Sequence, residues 1–250
     1  METLKYKTQN GLLEYEYYCN NKTETLVLLH GWGQNIETFS SIIADLKESY
    51  NVIAINFYGF GSSIIENNKL TLKDYVNDIH ELLLSLNVDN PIFIGHSFGG
   101  RVSIKYGSLY HYKKIFLIAS PAFKNRSIKY YKKIFIYKLK KSFYKTFNNR
   151  KYKLYIRNSG SIDYINCKDD LKEVFKNIVR LDLKKDLKKL CNPIIIFASV
   201  NDNVVNYKKQ LMMYKIIKNS KLYTFYKSGH FIHIDEEVKV LKIIKREIDG

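Results

Sequence analysis

Short apolar runs alternate with segments of helical spacing along most of this chain, and this alternation restricts the fold more than any other feature. The apolar runs occupy residues 26–29, 52–55, 91–94, 115–119, 193–198 and 221–225. Between and after them, residues 36–49, 72–86, 101–109, 207–217 and 238–248 place apolar side chains on one helical face. Residues 12–19 alternate aromatic and polar side chains, which predicts a half-exposed antiparallel strand. The sequence therefore predicts an α/β fold with a mostly parallel central sheet flanked by helices.

The alternation stops after Pro121 and returns near Pro193. Residues 122–190 are mainly helical, polar and aromatic in character, and they contain no strong strand pattern. A stretch of this length is too long for a plain loop. We therefore expect residues 1–121 and 191–250 to form one core, and residues 122–190 to form a helical cap inserted into it.

Composition excludes several other classes of protein. Hydrophobic residues make up 46% and charged residues 26% of the 250 residues, which is typical of a globular chain. No run approaches the roughly 18 apolar residues that a membrane helix needs. The first ten residues lack the apolar stretch of a secretory signal, so we expect a cytoplasmic protein. Three widely spaced cysteines predict free thiols, buried or half-buried, and form neither a disulfide framework nor a zinc pair.

Residues 95–99 read Gly-His-Ser-Phe-Gly, which matches the pattern G-x-S-x-G between a predicted strand and a predicted helix. Glycines on both sides permit a turn too sharp for larger side chains. The turn exposes the hydroxyl of Ser97, and the following helix N-terminus favours negative charge beside it. Ser97 is therefore the predicted catalytic nucleophile.

A serine nucleophile needs a base, and that base should lie on a loop at the carboxyl end of a strand. His230 meets this condition because it follows the predicted strand 221–225 within Ser-Gly-His. His233 is close by in the chain, and we expect it to pack or to lie in solvent. His230 is the predicted general base.

The base must in turn be held by an acid, which follows the serine and precedes the histidine in one known chain order. Asp202 comes just after the predicted strand 193–198, at the same end of the sheet as the other two residues. Asp182 and Asp186 precede that strand, so we expect them at its opposite end or in the cap. Asp202 completes the predicted catalytic set.

Two backbone N–H groups are needed to stabilise the oxyanion of an acyl transfer. We expect one from Phe98, which follows the nucleophile, and one from Trp32, which follows the strand 26–29. Gly31 and Gly33 allow close approach of the main chain around Trp32. Trp32 and Phe98 are also the predicted substrate-binding residues, with the Trp32 side chain as an apolar wall.

Together these motifs resemble the α/β-hydrolase family over nearly the whole chain except the middle of the cap. The matching positions are His30-Gly31-Trp32-Gly33, Gly59-Phe60-Gly61-Ser62-Ser63, Gly95-His96-Ser97-Phe98-Gly99-Gly100, Asp202 and Gly229-His230-Phe231. The resemblance implies a Ser97–His230–Asp202 triad, an oxyanion hole at Trp32 and Phe98, and a helical cap. The chain departs from the family at Asn56 and Tyr58, where many members have Asp and Pro. Family members that open epoxides or displace halide carry Asp instead of Ser at the nucleophile, so these activities are not expected.

The expected chemistry is hydrolysis of a carboxylic ester or thioester through an acyl-enzyme, with lipase, amidase and carbon–carbon bond hydrolase as alternatives. Neither a metal nor an organic cofactor is expected, because no histidine–carboxylate cluster has metal-ligand spacing. The many aromatic and aliphatic residues predict an apolar acyl pocket and a small-molecule ester substrate.

The net charge of +17 raises the question of an acidic partner. Residues 124–157 contain no Asp or Glu, and their Lys and Arg residues interleave with Tyr and Phe. A solvated helix face, an anionic lipid surface and an acidic carrier protein are all compatible with this pattern. The Trp within His-Gly-Trp-Gly and the chain length are similar to the esterases that cleave pimeloyl-acyl-carrier-protein methyl ester. Nucleic acid is not an expected partner because no known binding motif is present, and a non-enzymatic binding scaffold is the remaining alternative.

Overall fold

A mostly parallel sheet forms the centre of the protein in the computed structural model, which describes residues 3–124, 136–137, 139–140, 143 and 165–250. Its strands within these residues are β1 (Leu4–Thr8), β2 (Gly11–Tyr18), β3 (Thr25–Leu29), β4 (Asn51–Asn56), β5 (Ile64–Ile65), β6 (Ile92–His96), β7 (Lys114–Ile118), β8 (Ile194–Ser199) and β9 (Ser220–Phe225). Their order is β1-β2-β4-β3-β6-β7-β8-β9, and β5 pairs with β2. The predicted α/β fold class is confirmed.

The strands from β3 onward, apart from β5, run parallel, whereas β1, β2 and β5 form an antiparallel edge. The sequence did not predict β1 or β5. In β1 the alternating side chains are mostly exposed and include two lysines, so apolar periodicity is weak. β5 has only two residues and no pattern that could be read.

Five of the helices, those at Ser40–Leu46, Leu72–Ser85, Phe98–Gly107, Tyr207–Ile216 and Glu237–Asp249, correspond to the predicted segments, whereas the short helix Ile232–Asp235 was not predicted. Within the described residues the helices are α1 (Ser40–Leu46), α2 (Leu72–Ser85), α3 (Phe98–Gly107), α4 (Lys172–Val179), α5 (Lys184–Leu187), α6 (Tyr207–Ile216), α7 (Ile232–Asp235) and α8 (Glu237–Asp249). Thr71 caps α2, and its hydroxyl and the Asp74 carboxylate form a reciprocal capping box. The predicted helix 36–49 is a 3-10 turn, Ile36–Phe39, followed by α1. α3 begins at Phe98, three residues earlier than predicted, because Gly99 and Gly100 obscure its start.

Side chains of the parallel strands are buried on both faces of the sheet. In β3, Val27 and Leu29 contact one apolar layer, while Leu26 and Leu28 contact the other. Each of the four is at most 1% exposed. Burial of each such side chain contributes about 1.5–3 kcal/mol, so the strand ends that carry the site are firmly held.

The predicted cap, residues 122–190, is only partly covered by the described residues. Its described portion includes α4, which turns Val174, Phe175 and Ile178 inward as buried side chains. Most of the basic stretch 124–157 lies outside the described residues. The prediction of an acidic partner or anionic surface for this stretch therefore falls on residues that the structure does not describe.

Two further findings concern the described part of the chain. No helix there is long and apolar enough to cross a bilayer. Cys19 and Cys191 are exposed, so the expectation of buried or half-buried thiols is wrong for these two, which lie outside the helices and strands. Cys167 is half-buried.

Candidate active site

The turn between β6 and α3 holds Ser97 in a strained conformation. Its φ is +48° and its ψ is −105°, a backbone region that side chains other than glycine rarely adopt. The Ser97 N–H donates to the carbonyl of Ile118 at 2.9 Å, which ties the turn to β7. The residue is half-buried.

Close packing against β3 explains the glycine two positions later. A Cβ added to Gly99 would lie 2.0 Å from the carbonyl oxygen of Leu29. The Gly99 N–H donates to the carbonyl of His30 at 3.0 Å. The turn that carries Ser97 therefore lies directly beside the carboxyl end of β3.

His230 and Asp202 are in direct contact. Nδ1 of His230 lies 2.9 Å from Oδ2 of Asp202, and the two side chains are 12% and 0% exposed. The other carboxylate oxygen, Oδ1, accepts the N–H groups of Val204 and Val205, both at 2.8 Å. The carboxylate is thus fixed by its own loop and offers one oxygen to the imidazole.

The two acids that sequence analysis set aside lie in other contacts. Asp182 accepts the N–H groups of Lys124 and Lys184. Asp186 forms an ion pair with Lys105 at 2.8 Å, near the end of α3 opposite to Ser97.

The loop of residues 226–231, called here the His230 loop, is tied to its surroundings at several points. The N–H and hydroxyl of Ser228 both donate to Oε1 of Glu236, and the N–H of Gly229 donates to Asp235. The hydroxyl of Ser199, at the end of β8, donates to the Ser228 carbonyl. These bonds hold the main chain that carries His230 against β8 and the start of the C-terminal helices.

The turn of residues 31–34, called here the Trp32 turn, is fixed by two polar side chains, the buried His30 and the half-buried Gln34. Nε2 of His30 accepts the Phe57 N–H at 3.1 Å, so its proton is on Nδ1, which donates to the Gly31 carbonyl at 2.7 Å. Oε1 of Gln34 accepts the Gly31 N–H at 2.8 Å. Among the described residues no acceptor bonds the N–H of Trp32 or of Phe98, so both donors remain free for a ligand.

Burial keeps the structural histidines of the site neutral. Desolvation lowers the pKa of His30 to about 4, although its bond to the Gly31 carbonyl opposes the shift. Desolvation, with a smaller contribution from the neighbouring His230, lowers the pKa of His233 to about 3. The pKa of His96 is also well below its ordinary value, chiefly through burial and next through His233.

An aromatic wall lies beside the two expected oxyanion donors. The Trp32 ring contacts the rings of Phe98, Phe60 and Phe175, with centroids 5.3, 5.2 and 5.0 Å away. Phe175 comes from α4, so the described end of the predicted cap reaches Trp32. Such a wall suits an apolar group better than a charged one.

The two departures from the family pattern have local partners. Asn56 donates to Glu14 at 2.6 Å and accepts the Ile36 N–H at 2.8 Å. The hydroxyl of the fully buried Tyr58 donates to Asp78 at 2.7 Å. The side chains of Asn56 and Tyr58, which stand where many family members have Asp and Pro, therefore hold the loop after β4 by hydrogen bonds.

Sequence reasoning did not identify several residues that shape this region: Gln34, Phe60, His96, Phe175 and Glu236. A signal existed for two of them: His96 lies inside the G-x-S-x-G pattern, and Phe60 lies inside the matched Gly59-Phe60-Gly61. Within the described residues, no group of three His, Cys, Asp or Glu side chains could hold a metal ion.

Comparison with known proteins agrees with this fold. Residues 24–131 match the family model described as the alpha/beta hydrolase fold. The chain is 25% identical over 241 residues to the uncharacterized hydrolase YugF of Bacillus subtilis, covering 87% of each chain. A hydrolase structure from Pseudomonas aeruginosa superposes with a TM-score of 0.78 at 16% identity, covering 99% of this chain and 98% of that one. An esterase structure from Exiguobacterium antarcticum gives a TM-score of 0.73 at 20% identity, covering 96% of each. The parallel sheet and these matches identify the fold of the chain as the α/β-hydrolase fold, and residues 24–131 are similar in sequence to that family.

Proposed function

We propose that the protein is a serine hydrolase that cleaves a carboxylic ester or thioester through an acyl-enzyme formed on Ser97. The observation that carries the proposal is the 2.9 Å contact between His230 and Asp202. The main-chain carbonyl of His230 also lies 3.0 Å from Nε2 of His96, the residue before Ser97. A buried carboxylate that fixes one nitrogen of an imidazole leaves the other nitrogen to take a proton from a serine hydroxyl. The esterase and hydrolase relatives support the same class of reaction.

In the first step, the Ser97 oxygen attacks the acyl carbon while Nε2 of His230 takes the hydroxyl proton. The new C–O bond forms as the carbonyl π pair moves to oxygen. The N–H groups of Trp32 and Phe98 are free to stabilise this oxyanion, each such donor contributing about 2.7–4 kcal/mol to the barrier reduction. The imidazolium then protonates the leaving alcohol or thiol, and the acyl–oxygen or acyl–sulfur bond breaks.

In the second step, His230 takes a proton from water, and the resulting hydroxide attacks the acyl carbon. Collapse of this second intermediate returns the proton from His230 to Ser97 and releases the carboxylic acid. Asp202 keeps the Nδ1 proton of His230 in place and stabilises the charged ring in both steps. All proton transfers use this chain and water alone.

We further propose that residues 122–190 form a helical cap over this site. Two contacts support the proposal: Phe175 packs on Trp32, and Nζ of Lys168 donates to the Gly59 carbonyl at 3.1 Å. A cap that brings aromatic rings to the Trp32 turn favours an apolar acyl group. Small-molecule esters are therefore the substrates to test first.

The test is hydrolysis of p-nitrophenyl esters of increasing acyl length by the wild type and by Ser97→Ala, with fluorophosphonate labelling of both. We expect turnover and labelling in the wild type and loss of both in Ser97→Ala. Labelling at Ser97 without ester turnover would direct attention to thioesters or to carbon–carbon bond substrates. Neither turnover nor labelling in the wild type would reject the proposed function.

A further inference from the structure

His96, the second residue of the Gly-His-Ser-Phe-Gly sequence, lies between the two parts of the site that flank Ser97. It is the last residue of β6 and is 1% exposed. Nδ1 of its ring lies 3.0 Å from Oε1 of Gln34, in the Trp32 turn. Nε2 lies 3.0 Å from the main-chain carbonyl oxygen of His230. One imidazole thus faces both the Trp32 turn and the His230 loop.

Packing fixes the position of this ring. The ring of His233 lies 4.5 Å away between centroids, and that of Phe231 lies 5.5 Å away. A Cβ added to Gly31 would lie 2.8 Å from Nδ1 of His96. The ring therefore fills the space behind the Trp32 turn, and Gly31 is the residue that leaves room for it.

Proton counting distinguishes the two contacts of His96. Burial lowers its pKa, so the ring is neutral and has a single N–H. Both neighbours are acceptors, because Oε1 of Gln34 is identified by the Gly31 N–H that it already accepts. Among the described residues, the His230 carbonyl has no donor other than His96. An acceptor left without a donor costs more than one that already has a partner, which favours the proton on Nε2.

The bond to His230 joins the main chain of the expected base to the strand that ends next to Ser97. Asp202 orients the His230 ring, but it does not fix the distance between the His230 main chain and the serine turn. The other main-chain hydrogen bonds of the His230 loop run to β8, to Asn201 just after it, and to Asp235 and Glu236. A misplacement of 1 Å between reacting groups can cost roughly 10²-fold in rate. The His96 bond is a direct tie between the His230 main chain and the strand that ends beside Ser97.

We propose that His96 is a positioning residue, whose Nε2–H holds the main chain of His230 at the distance that acyl transfer to Ser97 requires. This inference rests on the proposed function for its effect on rate. The hydrogen bond itself does not depend on that function. Two independent measurements therefore test it.

The first measurement compares His96→Phe, which keeps a flat ring but has no donor, with His96→Gln, whose amide can donate again. Ester turnover is expressed per active site, counted by fluorophosphonate titration, so that partial unfolding does not affect the result. We expect kcat of His96→Phe to fall roughly 10²-fold with KM almost unchanged, because the bound substrate does not contact His96. We expect kcat of His96→Gln to be about tenfold higher than kcat of His96→Phe.

Either of two results would overturn the inference. One is a His96→Phe enzyme whose kcat per titrated site equals that of the wild type, even with a lower melting temperature. The other is a His96→Gln enzyme no faster than His96→Phe. A fall in stability alone would identify His96 as a packing residue.

The second measurement uses the wild type and needs no variant to fold. Nitrogen NMR of the protein labelled with ¹⁵N-histidine reports which ring nitrogen of His96 carries the proton. We expect protonated Nε2 and unprotonated Nδ1, whereas protonated Nδ1 would reject the bond to His230. If the wild type neither turns over esters nor reacts with fluorophosphonate, the proposed function fails, and this spectrum still decides the hydrogen bond separately.

Discussion

Oδ2 of Asp202 faces Nδ1 of His230 at 2.9 Å, while Oδ1 of the same carboxylate accepts two main-chain N–H groups of its own loop. The side chain therefore cannot rotate away from the imidazole without breaking both loop bonds. The carboxylate and the loop position each other, and the imidazole proton is held on Nδ1. The tautomer of His230 therefore depends on whether the atom at the Oδ2 position accepts or donates a hydrogen bond.

Asp202→Asn tests that dependence. The amide oxygen can still accept from Val204 and Val205, which places the NH₂ group against Nδ1 and forces the His230 proton onto Nε2. With the wrong tautomer, we expect kcat to fall about 10³–10⁴-fold at pH 7 with little change in melting temperature. Esterase kinetics and thermal unfolding measure the two effects.

Asp186→Asn is the matched control, because Asp186 is also partly buried and paired but contacts Lys105 at the far end of α3. Its kcat should stay within about twofold of the wild type. An Asp202→Asn enzyme with wild-type kcat would show that Asp202 is not the partner of the base.

Tyr58→Phe tests the hydrogen bonds made by Tyr58, which stands where many members of the family have proline. The Tyr58 hydroxyl contacts both Thr8 and the fully buried Asp78, whose pKa is raised by burial. Loss of the hydroxyl leaves the Asp78 carboxyl with the Asn10 amide as its remaining donor among the described residues. We expect the free energy of unfolding to fall by about 1–3 kcal/mol, measured by urea denaturation.

Activity per folded molecule should be unchanged in Tyr58→Phe, because the bond lies away from Ser97. Tyr207→Phe is the control, since this half-buried hydroxyl contacts only Thr224 among the described residues. Tyr207→Phe should lower the free energy of unfolding by about 1 kcal/mol or less. Equal losses in the two variants would contradict the special role of Tyr58.

Periodicity predicted the parallel sheet well because its strands are buried on both faces and its helices are amphipathic. It could not predict β1, whose lysines face solvent, or the early start of α3, where two glycines mask the helix. His230 and Asp202 were chosen by the rule that ligands bind at the carboxyl edge of such sheets, whereas Ser97 was identified by the G-x-S-x-G motif. Their roles in catalysis remain predictions.

Other parts of the site could not be predicted, because they depend on contacts between segments far apart in the chain. Phe175 reaches Trp32 across more than half of the sequence, and no local pattern distinguishes it from an ordinary core residue. The bond from His96 to the carbonyl of His230 involves a main-chain atom, which every residue has. Such contacts emerge only when the strands are placed side by side.

Stability should fall as the pH is lowered through the range in which unfolded histidine takes up a proton. In the folded protein, burial holds the pKa of His30 near 4 and that of His233 near 3, against an ordinary value of 6.5. Below about pH 6.5 the unfolded state therefore binds more protons than the folded state, and this favours unfolding. Each of these two histidines should lower the free energy of unfolding by about 2 kcal/mol between pH 7.5 and pH 5. Urea denaturation at several pH values measures the loss.

His233→Phe isolates one of these contributions. Among the described residues, neither ring nitrogen of His233 has a hydrogen-bond partner, so phenylalanine loses no polar contact. We expect the variant to be at least as stable as the wild type at pH 8 and to lose about 2 kcal/mol less on acidification. The control is His111→Asn, which removes a histidine from an exposed position instead of a buried one. A pH dependence in His233→Phe identical to that of the wild type would contradict the buried neutral state of His233.

Phe175→Ala should lengthen the acyl pocket if the aromatic wall contacts the substrate. Removal of this ring, which is 8% exposed and packs on Trp32, opens space beside the expected oxyanion donors. We expect kcat/KM for octanoyl relative to butanoyl p-nitrophenyl esters to rise about tenfold, since a few methylene groups gain apolar contact. The variant should also lose about 3 kcal/mol of stability, so rates are taken per titrated site. Val179→Ala, on the same helix but 46% exposed, should leave the ratio unchanged. An unchanged ratio in Phe175→Ala would place the acyl chain elsewhere, because a ring that lines the pocket cannot be removed without altering which chains fit.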